Sequence, residues 1–460
     1  CLRKDISLLG AAALDRANTS DRQAFHIVAA TAADRSTIRR ASNRYRRDHT
    51  ASVKQTVISS GAKTGIVVHW DGKLLPSLIG EESVERLSIL ISGKDVSSSV
   101  GNVQLFGVPH LSSGTGVAQA NAVVDTLKDW NVDDQVVAMC FDTTAANTGH
   151  VRGACTLIEE RLGRNLLYLP CRHHILEVVL RDVFKAVHGS SNGPDRFKKQ
   201  WHQIKQLEFK TGETNGYITA VQKVIDYYMK ALKQPQPRDD YIRLMELCVI
   251  FLGGTPPRGI RYGKLGPVHH ARWMSKALYS LQIFMFQHQF QLTIKEKKLI
   301  QTMSLFVALR HLWYLSEESV ALALFSDSVS YAEKREILES MKRKNEKKEC
   351  PKKLEVTEEE IPSLELKNLA STNTNCFFQN TLLNSGFVSK DPSQWNDNPQ
   401  FLQSREILQE LQVVNDVAER AVKLIQDYNS SITKSEDQKQ YLLQVVTTHR
   451  RQYPNIKKAN

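Results

Sequence analysis

Every strand-type segment of this 460-residue chain lies between residues 65 and 171, and from about residue 190 onward the chain reads as helix. That asymmetry constrains the fold more than any single motif does. Residues 65–71 (GIVVHWD), 86–92 (RLSILIS) and 103–108 (VQLFGV) are short, β-branched or alternating, and separated by turn residues. A helical pattern follows at 112–130, with Ser112, Ser113 and Thr115 available as caps. Residues 136–142 (VVAMCFD) form a continuous apolar run, as a strand covered on both faces does. Residues 147–162 then read as helix, 166–171 (LLYLPC) as strand and 175–187 as helix. Three successive strands, then helix, strand, helix, strand, helix, predict an α/β fold. Its mixed sheet has an antiparallel edge and a parallel centre.

Beyond the sheet-forming part, helical patterns recur at 217–232, 241–252, 274–286 and 300–315. The charge-rich stretch 341–360, with Pro351, is expected to be a flexible loop. An apolar stripe at Leu408, Leu411, Val414, Ala418, Ala421, Val422 and Ile425 predicts one long helix over 405–428. The expected organisation is a basic segment at 1–60, sheet-forming residues 61–190, a helical insertion at 191–404 and a final segment at 405–460.

Charge points to the partner. Lys and Arg number 61 against 49 Asp and Glu, a net +12, and such a balance favours a polyanion. Half of that excess sits in residues 1–60, where six arginines (35, 39, 40, 44, 46 and 47) fall within thirteen positions. On a helix Arg40, Arg44 and Arg47 share one face, while Arg35, Arg39 and Arg46 spread to the side. Almost no acids interleave with them, so the face is expected to contact phosphates rather than only water. The seven cysteines are scattered and contain no C-x-x-C pair, which argues against a disulfide scaffold and for a reducing compartment. No apolar run approaches the roughly 20 residues of a membrane span. The apolar stretch 6–14 runs into Asp15-Arg16 and is not expected to be a secretion signal. The chain opens on Cys1, as a fragment of a longer protein would.

Two carboxylates stand out. Asp71 ends the first strand pattern and Asp142 the fourth, and parallel neighbouring strands would bring both to the carboxyl end of the sheet, where open α/β sheets bind ligands. Acids that close repel unless a divalent cation lies between them, and Mg²⁺ is the natural one. Asp71-Gly72 reads equally as a two-residue hairpin turn, and Asp142 as a cap on a loop. Cys171-Arg172-His173-His174 follows the fifth strand directly, yet no second cysteine or histidine pair completes the four ligands of a structural zinc site.

The order of these features, with Ala271-Arg272-Trp273 and Ala418-Glu419-Arg420 further on, resembles the hAT superfamily of DNA transposases. More closely it resembles the hAT-derived proteins of animal genomes in which the second aspartate lies in F-D-T-T-A-A-N-T-G. The resemblance covers about residues 60–430. It implies an RNase H-like core interrupted by a large all-helical insertion, and a D-D-E site of Asp71, Asp142 and Glu419 holding Mg²⁺ or Mn²⁺. It implies also that Cys171 and His174 flank the site, with the histidine approaching DNA, and that Arg272 and Trp273 open the insertion, the Trp stacking on a flipped base. The expected partners are DNA and a further copy of the chain, and the expected location is the nucleus. Asp416, one helical turn before Glu419, is the alternative third acid, and Trp273 reads equally as a core aromatic.

Departures from the family pattern qualify the activity. No zinc-finger set of Cys and His precedes the core, one extra residue separates Asp142 from Asn147, and R-A-V-K-L-I follows Glu419 in place of the usual Phe-Ser. The alternative is therefore a domesticated protein that binds DNA without cutting it. A protein-interaction module with an incidental basic surface is the third reading.

Overall fold

The computed structural model describes residues 8–19, 23–24, 35–59, 66–76, 83–93, 103–171, 173–175, 177–178, 180–181, 201–204, 209–212, 218–234, 239–262, 272–290, 292–311, 324–325, 329–346, 386–410, 415–428, 433 and 435–453. The chain forms two compact units, Cys1–Cys171 with Ser319–Asn460, and Arg172–Glu318. Among the described residues no helix is long and apolar enough to cross a membrane.

The first unit is built on one mixed sheet of β1 (Ile66–Pro76), β2 (Ser83–Ser92), β3 (Val103–Gly107), β4 (His110–Leu111), β5 (Val136–Phe141) and β6 (Leu167–Pro170). The order is β3-β2-β1-β5-β6, with β4 paired to β2. β1, β2 and β3 are antiparallel neighbours, whereas β5 runs parallel to β1 and β6 parallel to β5. This is the α/β mixed sheet that the segment order predicts.

Period-two alternation distributes the side chains of the sheet between its faces. Ile66, Val68, Trp70, Ile89, Ile91, Phe106, Met139 and Phe141 share one core cluster with α3 (Gly116–Asp129) and α4 (Ala154–Leu162). They also meet Val57 of α2 (Arg35–Ser59), the second helix after α1 (Leu8–Arg16). The opposite face is covered in two patches. Val67, Ala138, Cys140, Leu167 and Leu169 pack on Ile337 and Leu338 of α9 (Tyr331–Glu346), on Phe387 and Trp395, and on Phe401 and Leu408 of α10 (Pro399–Glu410). Leu75, Leu90 and Leu105 pack on Val417, Ala418, Ala421 and Leu424 of α11 (Asp416–Tyr428) and on Leu442, Leu443 and Val446 of α12 (Glu436–Gln452). Each fully buried Val, Leu, Ile or Phe contributes about 1.5–3 kcal/mol of transfer free energy, so both faces anchor their helices firmly.

The second unit is helical: α5 (Ile218–Ala231), α6 (Asp239–Phe251), α7 (Arg272–Met285) and α8 (Ile294–Phe306) close around Leu244, Leu247, Cys248, Phe251, Leu278, Leu281 and Met303. A capping box at Thr293 and Glu296 starts α8.

Three expectations change. The 405–428 stripe is not one unbroken helix: buried Asn415 is a turn residue immediately before α11, and residues 411–414 lie outside the described residues. Residues 341–346 of the charged stretch lie inside α9, because Ile337, Leu338 and Met341 hold that helix to the sheet; residues 347–360 lie outside the described residues. Residues 331–346 and 386–404, grouped by sequence with the helical insertion, belong to the sheet unit for the same reason.

Candidate active site

β1 continues to Pro76 rather than ending at Asp71. Asp71 pairs with Ser88 and Gly72 with Leu87 in an unbroken antiparallel ladder, so Asp71-Gly72 is not a hairpin turn. What does end beside Asp71 is the parallel pairing with β5, whose last register pair is His69 with Cys140. Two residues beyond that pair stand Asp71 on one strand and Asp142 after the other. The two acids therefore share the carboxyl end of the parallel centre.

Asp142 is half-buried and held in a fixed orientation. Thr144 Oγ1 donates to its Oδ1 at 2.8 Å, and Asn147 Nδ2 donates to the same oxygen at 2.5 Å. Asn147 is itself held by Trp70, whose indole N–H donates to Asn147 Oδ1 at 2.9 Å. Trp70 stacks on Phe141, the residue before Asp142, with ring centroids 5.4 Å apart. The residue preceding Asp71 thus orients the partner of Asp142.

Glu419 enters from α11, where Val417, Ala418 and Ala421 are buried against the sheet and Glu419 stays half-buried beside them. Ser88 links this helix to β1, since its hydroxyl lies 3.2 Å from both the Asp71 and the Ala418 carbonyl oxygens. A single hydroxyl proton can serve only one of the two at a time.

Both of the other acids act on Asp71. Burial, then the charges of Asp142 and Glu419, push the Asp71 carboxyl up to about 7, against smaller opposing contributions from Lys73 and the Gly72 N–H. The repulsion is only partly balanced by the protein. The three carboxylates are not all within 4.8 Å of one another, a wider grouping than one ion's inner ligand shell. Hard, anionic oxygen donors with uncompensated charge fit Mg²⁺ or Mn²⁺.

Backbone proximity makes this end of the sheet sensitive to one glycine. A Cβ on Gly116, the first residue of α3, would lie 2.3 Å from the Arg152 carbonyl oxygen and 2.4 Å from that of Ala146. Those atoms flank Asn147, and neither can retreat as a flexible side chain would. Gly116→Ala is expected to cost about 1–3 kcal/mol or more by overpacking. A melting temperature equal to wild type would show that the loop after Asp142 gives way freely.

Of the remaining predicted residues, Cys171 lies beside the acids, its sulfur within 4.8 Å of a Glu419 carboxylate oxygen. Cys171 directly follows β6 and is buried, its sulfur accepting the Asn415 N–H at 3.2 Å. His174 belongs to the helical unit and is half-buried there. Its neighbour His173 is buried and hydrogen-bonded to Tyr241 of the same unit. Arg272 and Trp273 are the first residues of α7, and their side chains lie outside the described residues, as does that of Asp416. Arg40, Arg44 and Arg47 are all exposed on α2. Arg46 points the other way, into a buried ion pair with Asp15 at 2.6 Å. Sequence reading missed Asn147 as an orienting group, although its place five residues after Asp142 is a local signal. It also missed Ser88 and Asn415, for which no local signal exists. No protein-family model matches this chain, and no curated protein matches it.

Proposed function

We propose that this chain is a nuclear, hAT-like transposase-derived DNA-binding protein whose Asp71, Asp142 and Glu419 hold divalent cations for cleavage and transfer of DNA strands. The observation that carries the reading is geometric: Asp71 and Asp142 share the carboxyl end of the parallel pairing of β1 with β5, and the charges of Asp142 and of Glu419 on α11 are both felt at Asp71. Divalent cations in such a site polarise a phosphodiester and stabilise the attacking and leaving oxygens of an in-line displacement. The chain's own contribution is placement. Thr144 and Asn147 fix the direction of Asp142, and the sheet buries Asp71 enough to keep its charge poorly solvated. The mixed sheet with a helical unit following β6 supports an RNase H-like core. Cys171, His174, Arg272 and Trp273 are carried as DNA contacts by the resemblance, and a second copy of the chain as a partner.

Binding without cleavage is the second reading, favoured by the extra residue before Asn147 and by the sequence after Glu419. Both readings need DNA affinity, and the exposed arginines of α2 test it. Replacing Arg40, Arg44 and Arg47 together by Ala is expected to weaken binding to all DNA sequences alike. The slope of log affinity against log salt should fall by roughly two to three, as each phosphate contact contributes about 0.9. An unchanged slope would return this helix face to the role of a solvated surface.

A further inference from the structure

Asn415 joins three chain segments that meet at the carboxylates. Its side-chain Nδ2 donates to the Trp70 carbonyl oxygen at 2.7 Å, the residue before Asp71. Its backbone N–H donates to Cys171 Sγ at 3.2 Å, at the end of β6. Its carbonyl oxygen accepts the Glu419 N–H at 3.0 Å and so starts α11. Asn415 is only 3% exposed, and fully buried His69 lies beside it on the same strand face as Asp71. A buried asparagine costs desolvation for every bond it leaves unmade, and here Oδ1 makes none among the described residues, so the bonds of Nδ2 and of the backbone N–H are what hold Asn415 in place.

The two acids that are not on β1 are therefore referred to the same residue. Asn147 takes the indole N–H of Trp70 and holds Asp142, whereas Asn415 gives its amide N–H to the Trp70 carbonyl and holds the start of the Glu419 helix. Apolar contacts of α11 through Val417, Ala418 and Ala421 are non-directional and permit sliding or rotation. The Asn415 bonds define both the height and the rotation of the first helical turn, on which Glu419 sits.

We infer that Asn415 is a positioning residue that sets Glu419 opposite Asp71 by anchoring the first turn of α11 to the Trp70 carbonyl. The inference rests on reading the three carboxylates as one site. Its role differs from plain structural support, because α11 would still pack on the sheet without it while Glu419 would no longer be held in place.

The test uses the full chain, with Mn²⁺ as the probe in an electron paramagnetic resonance titration and a thermal-unfolding cycle in chelator beside it. Asn415→Leu is expected to raise the Mn²⁺ dissociation constant at least tenfold. Leu443→Ala, which removes packing from the same apolar cluster, is expected to lower the melting temperature but leave Mn²⁺ affinity at the wild-type value. In chelator, the melting-temperature shifts of Asp71→Asn and Glu419→Gln are expected to be non-additive in the wild-type background and additive in Asn415→Leu. Should Asn415→Leu fail to fold, Asn415→Ser, whose hydroxyl is too short to keep the Trp70 bond, is read the same way. Wild-type Mn²⁺ affinity together with retained non-additivity in the Asn415 variant would overturn the inference. If the wild-type chain binds no Mn²⁺, the metal reading fails and the chelator cycle alone decides: loss of non-additivity supports positioning by Asn415, and its persistence refutes it.

Discussion

Asp71→Asn, Asp142→Asn and Glu419→Gln are each expected to reduce Mg²⁺- or Mn²⁺-dependent DNA cleavage at least about a thousandfold while leaving DNA affinity nearly unchanged. An amide keeps the shape of each side chain and removes the anion that holds the ions. Positioned ions supply several kcal/mol of charge stabilisation, at about 1.4 kcal/mol per factor of ten in rate. The same change has an opposite effect on stability. A carboxyl whose folded pKa is raised above its unfolded value is stabilising only while protonated, so its contribution falls as pH rises from about 4 through about 7. In chelator at pH 8 the penalty is fully present, and Asp71→Asn should raise the folding free energy by about 2–4 kcal/mol, at roughly 1.4 kcal/mol per pKa unit and reduced for partial exposure. At pH 4 the variant and the wild type should melt together. Added Mn²⁺ should stabilise the wild type and not the variant. Wild-type protein that cuts no DNA with either metal would leave the binding-only reading in place. A variant no more stable than wild type at pH 8 would mean that neither burial nor the neighbouring charges penalise the Asp71 carboxylate.

Arg46→Ala is expected to destabilise the sheet unit by about 3–5 kcal/mol, whereas Arg47→Ala, one residue on, should stay within about 0.5 kcal/mol. Arg46 donates to both oxygens of Asp15 at 2.9 and 2.6 Å, and both side chains are 3% exposed. Removing the guanidinium deprives a buried carboxylate of its bidentate cationic partner and leaves much of its desolvation cost uncompensated. Arg47 faces solvent, 3.5 Å from an equally exposed Asp48, where screening leaves little net energy. The pair also locks α1 to α2, and Arg16 of α1 in turn donates to the Tyr453 carbonyl beyond α12 at 2.8 Å. Loss of Arg46 should therefore expose α1 and the end of α12 to proteolysis together. The double change Arg46→Met with Asp15→Leu, which removes both charges and keeps the volume, should restore most of the loss. Thermal denaturation of the three variants and limited proteolysis measure all of this, and an Arg46→Ala protein melting at the wild-type temperature would show that the pair contributes nothing net. The contrast separates two arginines that look alike in sequence: one is structural, the other is free to meet a phosphate.

Much of the fold was legible because strands and helices have different periods. The β-branched or alternating segments 65–71 and 86–92 and the unbroken apolar run at 136–142 marked strands, and β1, β2 and β5 follow them, although β1 and β2 prove to be covered on both faces. Asp71 and Asp142 were visible as acids at the limits of apolar runs. The continuation of β1 to Pro76 was not, because Gly72-Lys73 interrupts the apolar pattern while the antiparallel ladder with β2 supplies the hydrogen bonds that keep the strand going. The break between α10 and α11 was hidden for the converse reason. The apolar stripe runs through it in register, while Asn415, bonded to Trp70 and Cys171, is itself a turn residue rather than a helical one.

By itself the sequence determined the class of fold, the order of its strands and helices, the basic face of α2 and the candidate acids, since each is written in short-range periodicity, charge and spacing. The tertiary structure alone decided that Arg46 is buried while Arg40, Arg44 and Arg47 are not, that residues 331–346 and 386–410 cover the sheet, and that Ser88 and Asn415 tie α11 to β1. Those facts depend on partners far away in the chain, 345 positions for Asn415 and Trp70. A periodic pattern states which side of an element is covered; what covers it, and which polar atom meets which, is settled only when every buried donor and acceptor must find a partner in the same packed interior.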